Sequence, residues 1–258
     1  MPRAAIGPVA LLFEEPSTRT RVSFSEAIHR MGGWPVFLDR EGSSLAKGES
    51  MEETLLNLAA LGIQGAVIRT SRTGLPQELL EAGLDLWVVN AGDGAGEHPT
   101  QALGDTLTLM ANGGLEGRRV AILGDVRHSR VARSLLALWP RLGVRLAILP
   151  RGGAAAEESV TTFSTMEEAT DWAEVLYVLR PQVERWEKPL RGEALKKAMA
   201  PWRVESIRHG QFLMAPGPTW PGIDLAEGLL RSAGSLILDQ VHWGLGGRMA
   251  LMEELSLG

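Results

Sequence analysis

Short apolar runs of β type alternate along this chain with longer stretches whose apolar residues recur every three or four positions, and few folds accommodate that alternation. It is the pattern of parallel strands joined by covering helices, an α/β architecture. Strands are expected at 9–13, 35–38, 66–69 and 86–90, with helices near 20–31, 50–61, 76–82 and 99–111. Asn112-Gly113-Gly114 closes the last helix and opens a second series. That series has strands at 119–123, 145–149, 175–179 and 212–215, a short final one at 236–238, and helices over 129–142, 165–173, 188–199 and 223–233. The expectation is two doubly wound parallel-sheet domains, residues 1–112 and 113–239. A last helical pattern at about 240–256 brings 240–258 back onto the first domain. In open sheets of this kind ligands bind beyond the carboxyl ends of the strands, where polar residues cluster here.

Composition limits what those clusters can do. A length of 258 residues with 45% hydrophobic content provides ample core. A net charge of −5, with basic residues placed singly, argues against a nucleic-acid surface, so any anion site is local. The absence of cysteine removes disulfides, thiolate catalysis and cysteine-ligated metal. No signal pattern and no apolar stretch of membrane-spanning length is present, which reads as a soluble cytoplasmic protein without a membrane partner.

The first cluster, Phe13 to Arg21, is a strand end, a polar turn and a helix start carrying Ser17, Thr18, Arg19, Thr20 and Arg21. Unpaired backbone N–H groups, the positive end of the helix dipole and two guanidinium forks suit a phosphate there. The plainer reading is a capped helix with solvated arginines. In the loop from Ser43 to Ser50, Ser50 and Glu53 have capping-box spacing, while Lys47 is either solvated or a ligand. Arg69 ends a strand and could offer a second fork to the same anion, or a surface ion pair of little value. A Gly-rich turn, Asn90 to Glu97, empties into His98-Pro99-Thr100-Gln101. Pro99 suits the first helical position, which makes His98 and Gln101 a cap pair. Alternatively, a neutral His98 at a helix N-terminus could polarise a carbonyl. In the second series Arg130 opens a helix and Arg180-Pro181-Gln182 follows a strand. The glycine fingerprint of a dinucleotide site is missing, and two strand-end arginines better match a ligand with two carboxylates.

Ser17 to Arg21, Ser43 to Glu49, His98 to Gln101 and Arg180 to Gln182 together resemble the signatures of aspartate carbamoyltransferase catalytic chains, from about residue 9 to the C-terminus. Ornithine carbamoyltransferases characteristically use a cysteine that this chain lacks, and the lysine before Gly48-Glu49 also favours the aspartate branch. The resemblance implies transfer of the carbamoyl group of carbamoyl phosphate to L-aspartate in pyrimidine biosynthesis, with no metal or organic cofactor. It implies that Ser17, Thr18, Arg19 and Thr20 hold the phosphate, that Arg69 bridges phosphate and carbonyl oxygen, and that Thr20, Arg69 and His98 stabilise the oxyanion. Gln101 and the carbonyls of Pro216 and Gly217 would meet the carbamoyl amine. Arg130, Arg180 and Gln182 would hold the aspartate carboxylates. Ser43 and Lys47 match residues donated to a neighbouring subunit's site, so a homotrimer with shared sites is implied, compatible with a larger assembly with regulatory or dihydroorotase chains.

Some features depart from the pattern. Family members usually carry an N-terminal helical segment before the strand at 9–13, and this chain starts almost at that strand. The loop after Gln182 is short, Ala215-Pro216-Gly217-Pro218 stands where His-Pro-x-Pro is usual, and Thr219-Trp220-Pro221-Gly222 replaces a segment normally holding Asn-Arg-Gly. The alternatives to an active transferase are a non-catalytic carbamoyltransferase-like subunit that serves assembly or regulation, and an enzyme with another amino acceptor.

Overall fold

The computed structural model describes residues 5–39, 44–151 and 160–257, and divides the chain into two units, 1–104 with 241–258, and 105–240. Among the described residues the first unit holds a four-stranded parallel sheet built from β1 (Val9–Phe13), β2 (Pro35–Asp39), β3 (Gly65–Thr70) and β4 (Trp87–Asp93), in the order β2-β1-β3-β4. Its crossovers are α1 (Thr18–Arg30), α2 (Met51–Ala60) and α3 (Leu75–Glu81), and α4 (Pro99–Ala111) follows β4.

Alternation along β1 explains why both faces are covered. Val9, Leu11 and Phe13 pack with Phe24, Ala27 and Ile28 of α1, while Ala10 and Leu12 pack with Met51, Leu55 and Leu58 of α2 and with Leu79 of α3. Successive residues of a strand point to opposite faces, so a continuous apolar run demands helices on both sides. The last helix, α8 (Ile237–Leu257), contributes Met252 to the α1 face, with Leu245, Met249 and Leu255 beside it. Arg248 donates to Ser23 Oγ at 2.9 Å and lies over the Phe24 ring at 5.1 Å. The C-terminal helix thus packs on the first domain, as expected.

The second unit has a five-stranded parallel sheet of β5 (Arg119–Gly124), β6 (Arg145–Pro150), β7 (Thr161–Thr162), β8 (Val175–Leu179) and β9 (Phe212–Met214), ordered β7-β6-β5-β8-β9. Its helices are α5 (Arg130–Leu138), α6 (Met166–Trp172) and α7 (Gly192–Met199). Ala121, Leu123, Leu176, Val178 and Leu213 form one core with Ala169 of α6; Tyr177, from the opposite face, meets Trp139 edge-on at 5.8 Å.

Two expected elements are corrected. Leu236–Leu238 is not a strand: Ile237 and Leu238 belong to the first turn of α8, and only Ser235 makes an isolated bridge, to Leu213. Three apolar residues carry no period, so the run could not distinguish the two. The helix expected at 223–233 is also not formed. Leu225 bridges Val204 and Pro221, Asp224 accepts from the Trp220 N–H, and Gly228 at φ +85° admits only the short 3-10 turn Leu229–Arg231. The two-residue strand β7 lacked any apolar signal. No helix among the described residues is long and apolar enough to cross a membrane.

Candidate active site

In the first unit, β1, β3 and β4 are adjacent and parallel, so the chain leaves all three at the same edge of the sheet. Ser17 to Thr20 follow β1, Arg69 lies at the end of β3, and His98 follows β4. Phe13 and Arg69 are in register, and the Glu14 N–H donates to the Arg69 carbonyl at 2.9 Å. Ser17 is the N-cap of α1, yet its side chain makes no capping hydrogen bond, and no acidic residue lies in the first turn. The amide ends and the dipole of α1 are therefore not answered by the helix's own side chains. Thr20 is buried and Arg19 is exposed.

Arg69 is held rather than loose. Its Nη1 donates to the Ala91 carbonyl at 3.3 Å, and Nε lies 3.6 Å from Glu15 Oε2. Glu14 accepts from the buried Thr70 hydroxyl, and Thr70 Oγ1 in turn accepts from the Arg72 N–H at 3.0 Å. The Gly-rich turn after β4 is organised by Asp93, whose carboxylate accepts from the N–H groups of Gly74 and Glu97, both at 2.7 Å, and from Asn90 Nδ2 at 3.0 Å. Gly94, at φ +41°, passes so close to Ser71 O that a Cβ would sit 2.4 Å from it. His98 is buried immediately before α4, its carbonyl accepting from the N–H groups of Gln101 and Ala102. Gln101 is half-buried. Ser50 and Glu53 form the capping box the spacing indicated, and Lys47 is exposed at the end of the 3-10 turn Ser44–Lys47. Ser43 lies outside the described residues.

In the second unit β5, β8 and β9 are likewise adjacent and parallel. Arg130 follows β5 in the first turn of α5 and is 5% exposed. Arg180 and Gln182 follow β8, and Pro216 and Gly217 follow β9. The β5 and β8 ends are tied together by Asp125. Its Oδ2 accepts from the Gln182 N–H at 2.9 Å and from Trp186 Nε1 at 2.6 Å, and its Oδ1 meets His128 Nδ1 at 2.7 Å. Arg185 Nη1 donates to the His128 carbonyl at 2.6 Å, and the Arg151 guanidinium stacks 3.8 Å over the Trp186 ring.

Arg180 is already engaged by its own chain. It donates to the Pro181 carbonyl at 2.9 Å and forks onto Glu184 at 2.5 and 3.1 Å, with its guanidinium 5.4 Å from the Trp220 ring centre. Partial burial pushes the Glu184 carboxyl up, but the hydrogen bond and charge of Arg180 outweigh this and hold it below the ordinary range. Sequence reasoning missed Asp125, Glu184 and Trp186 as parts of the site. Glu184 had a signal, four residues beyond Arg180; the Asp125 ties, across 57 and 61 residues, had none.

Residues 4–111 match the family model for the aspartate/ornithine carbamoyltransferase carbamoyl-P binding domain. The aspartate carbamoyltransferase catalytic subunit of Gemmatimonas aurantiaca is 40% identical over 256 residues, covering 96% of this chain and 80% of the relative. The chain belongs to the aspartate carbamoyltransferase family. The catalytic subunit from Thermus aquaticus is also 40% identical, over 97% of this chain and 85% of its own length. Among solved structures, aspartate transcarbamoylase from Trypanosoma cruzi in complex with N-(phosphonacetyl)-L-aspartic acid superimposes with a TM-score of 0.85 at 27% identity, over 97% of this chain and 84% of that one. The ornithine carbamoyltransferase of Thermus thermophilus gives 0.84 at 26% identity, over 97% of this chain and 86% of that one.

Proposed function

We propose that this aspartate carbamoyltransferase family member catalyses transfer of the carbamoyl group from carbamoyl phosphate to L-aspartate, giving N-carbamoyl-L-aspartate and phosphate. The observation that carries the reading is that each sheet brings its candidate substrate-binding residues to the ends of three adjacent strands, with cationic side chains after two of them. The first set suits a phosphate and the second a dicarboxylate. A non-catalytic role is not favoured, because neither set has lost a member among the described residues.

In this reading Ser17, Thr18, Arg19 and Thr20 hold the phosphate at the start of α1, where the helix's own caps leave its amides available. Arg69 bridges phosphate and carbonyl oxygen. The Gln101 side-chain oxygen and the carbonyls of Pro216 and Gly217 accept from the carbamoyl amine. Arg130, Arg180 and Gln182 take the two carboxylates of aspartate. The amine lone pair of aspartate attacks the carbonyl carbon, a C–N bond forms, and negative charge gathers on the carbonyl oxygen, where Thr20, Arg69 and His98 stabilise it. The C–O bond to phosphate then breaks, and the amine proton leaves with the departing phosphate. The protein's contribution is positioning and fixed charge. Ser43 and Lys47 complete the site of a neighbouring subunit in a homotrimer, and a cytoplasmic setting is part of the same proposal.

Formation of carbamoyl-aspartate by the purified chain tests the reaction, and its absence with both substrates supplied overturns it. Mixing inactive Lys47→Ala chains with inactive Arg19→Ala chains tests the shared site. Recovery of activity is expected, and no recovery removes the subunit-sharing role of Lys47.

A further inference from the structure

The second unit buries a connected set of polar side chains that the reaction itself does not use. Asp105 and Tyr177 are fully buried and Gln240 is 4% exposed. Tyr177 donates its hydroxyl to Asp105 Oδ2 at 2.5 Å, Gln240 Nε2 donates to Asp105 Oδ1 at 2.7 Å, and Gln240 Oε1 accepts from the Ala215 N–H at 2.8 Å. Below them Trp139, which packs on Tyr177, donates to Thr106 Oγ1 at 2.9 Å. Burial, reinforced by the charge of Asp105, pushes the Tyr177 hydroxyl well above its ordinary range, so it stays a donor at working pH.

Such a network is a costly way to fill a core. Apolar side chains of the same volume serve packing as well or better, and a buried carboxylate must be answered by donors. What the network adds lies at its far end. β9 stops at Met214; on its outer side Leu213 donates to the Gly234 carbonyl and accepts from the Leu236 N–H. One step on, at Ala215, the acceptor is the Gln240 side chain rather than a strand carbonyl. Ala215 immediately precedes Pro216-Gly217-Pro218, and the two prolines have no N–H with which to anchor that segment.

We infer that Gln240, its amide oriented by Asp105, is a positioning residue for the Pro216 and Gly217 carbonyls and, through them, for the carbamoyl amine. The inference rests on the reading that those two carbonyls accept from that amine. Gln240 is suited to the task because it must accept from Ala215 and donate to Asp105 at once. A neutral carboxylic acid also offers both functions, whereas a carboxylate offers only one.

The test compares Gln240→Glu and Gln240→Leu with the parent enzyme by the KM for each substrate, which does not depend on the fraction of chains folded. At pH 8 both variants should show a carbamoyl phosphate KM raised about tenfold, with the aspartate KM changed less than about twofold. Lowering the pH should restore Gln240→Glu to within about twofold of the parent at the same pH. The adjacent Asp105 raises the pKa of the introduced acid, and its protonated form repeats both hydrogen bonds. Gln240→Leu should not recover. Gly217→Ala tests the underlying reading separately, since a Cβ at φ +63° shifts the same carbonyls without touching Gln240. An unchanged carbamoyl phosphate KM in Gly217→Ala overturns the carbonyl reading. A raised KM there, with none in Gln240→Leu or no pH recovery in Gln240→Glu, overturns the positioning role alone.

Discussion

The two units solve the same problem, presenting cations at the edge of a parallel sheet, in different ways. In the first, most of the carbamoyl phosphate candidates sit on local motifs, four consecutive residues at the start of α1, and His98 and Gln101 at the start of α4. In the second, Arg180 is engaged by Glu184, and its loop is moored to the β5 end through Asp125. The lesson is that a cradle made from a helix terminus needs little beyond its own backbone, because the amides and dipole come with the helix. Arg180, on the loop after β8, has no such frame and is held by the Glu184 carboxylate. Damage to the first region should therefore abolish chemistry with little change in stability, and damage to the second should weaken aspartate binding and stability together.

The largest expected effect is in the first region. Arg19→Ala should lower turnover by at least a hundredfold to a thousandfold, the scale for loss of a donor to developing negative charge, while an exposed residue leaves the melting temperature almost unchanged. Carbamoyl-aspartate formation and a thermal melt read the two. Retained activity would remove the phosphate assignment and the contrast with it. Asp125→Asn comes next. An amide has a single oxygen, which can keep the Gln182 N–H and Trp186 Nε1 donors of Oδ2 but turns an NH2 toward His128 Nδ1, so His128 must lose that hydrogen bond or change tautomer in a site where Asp125 is 2% exposed. A cost of about 1–3 kcal/mol in stability is expected, accompanied by an aspartate KM raised about tenfold. A melt that falls while the aspartate KM holds would make Asp125 structural only.

Glu184→Gln should act more gently. The pair is half-exposed, so it contributes little to stability. Releasing the Arg180 fork should raise the aspartate KM a fewfold and leave the carbamoyl phosphate KM alone. Because the Glu184 carboxyl is held below its ordinary value of 4.5, its hold on Arg180 is complete above that value and lost only as pH falls through the lowered one. Parent and variant should therefore differ throughout the neutral range. Identical aspartate KM values at pH 7 would show that Arg180 needs no such support.

Much of the first unit was legible in the sequence because its information is local. The apolar run at β1 fixes a central strand, and the helix starts at Thr18 and Pro99 announce themselves through Ser17 and through proline at the first helical position. The second unit was legible to the same depth in its central strands β5 and β8, but not beyond Phe212. There short segments are held by tertiary bonds, Leu225 to Val204 and Leu236 to Leu213, that no periodicity records. The same holds for the site. Arg180 could be found from its place after a strand, whereas Trp186 donates to an acid 61 residues earlier.

Asp224 gives the smallest effect and the finest test of how the second region is held. It is buried, and both oxygens accept from the Trp220 N–H, at 2.9 and 3.0 Å, beneath the aromatic ring that Arg180 faces. Burial raises its carboxyl above the ordinary value of 3.8, outweighing the backbone hydrogen bonds and the charge of Arg180 that act the other way. The folded chain therefore binds this proton more tightly than the unfolded chain. Its contribution to stability is fully present below 3.8 and is lost as pH rises through the higher folded value. Asp224→Asn imitates the protonated side chain and keeps one oxygen for Trp220. Variant and parent should melt together in acid, and the variant should gain progressively as the pH is raised to neutrality. A difference that stays constant across that range would mean that folded and unfolded chains bind the Asp224 proton alike, so that burial does not raise its carboxyl and the turn at Trp220 is held by a charge at neutral pH.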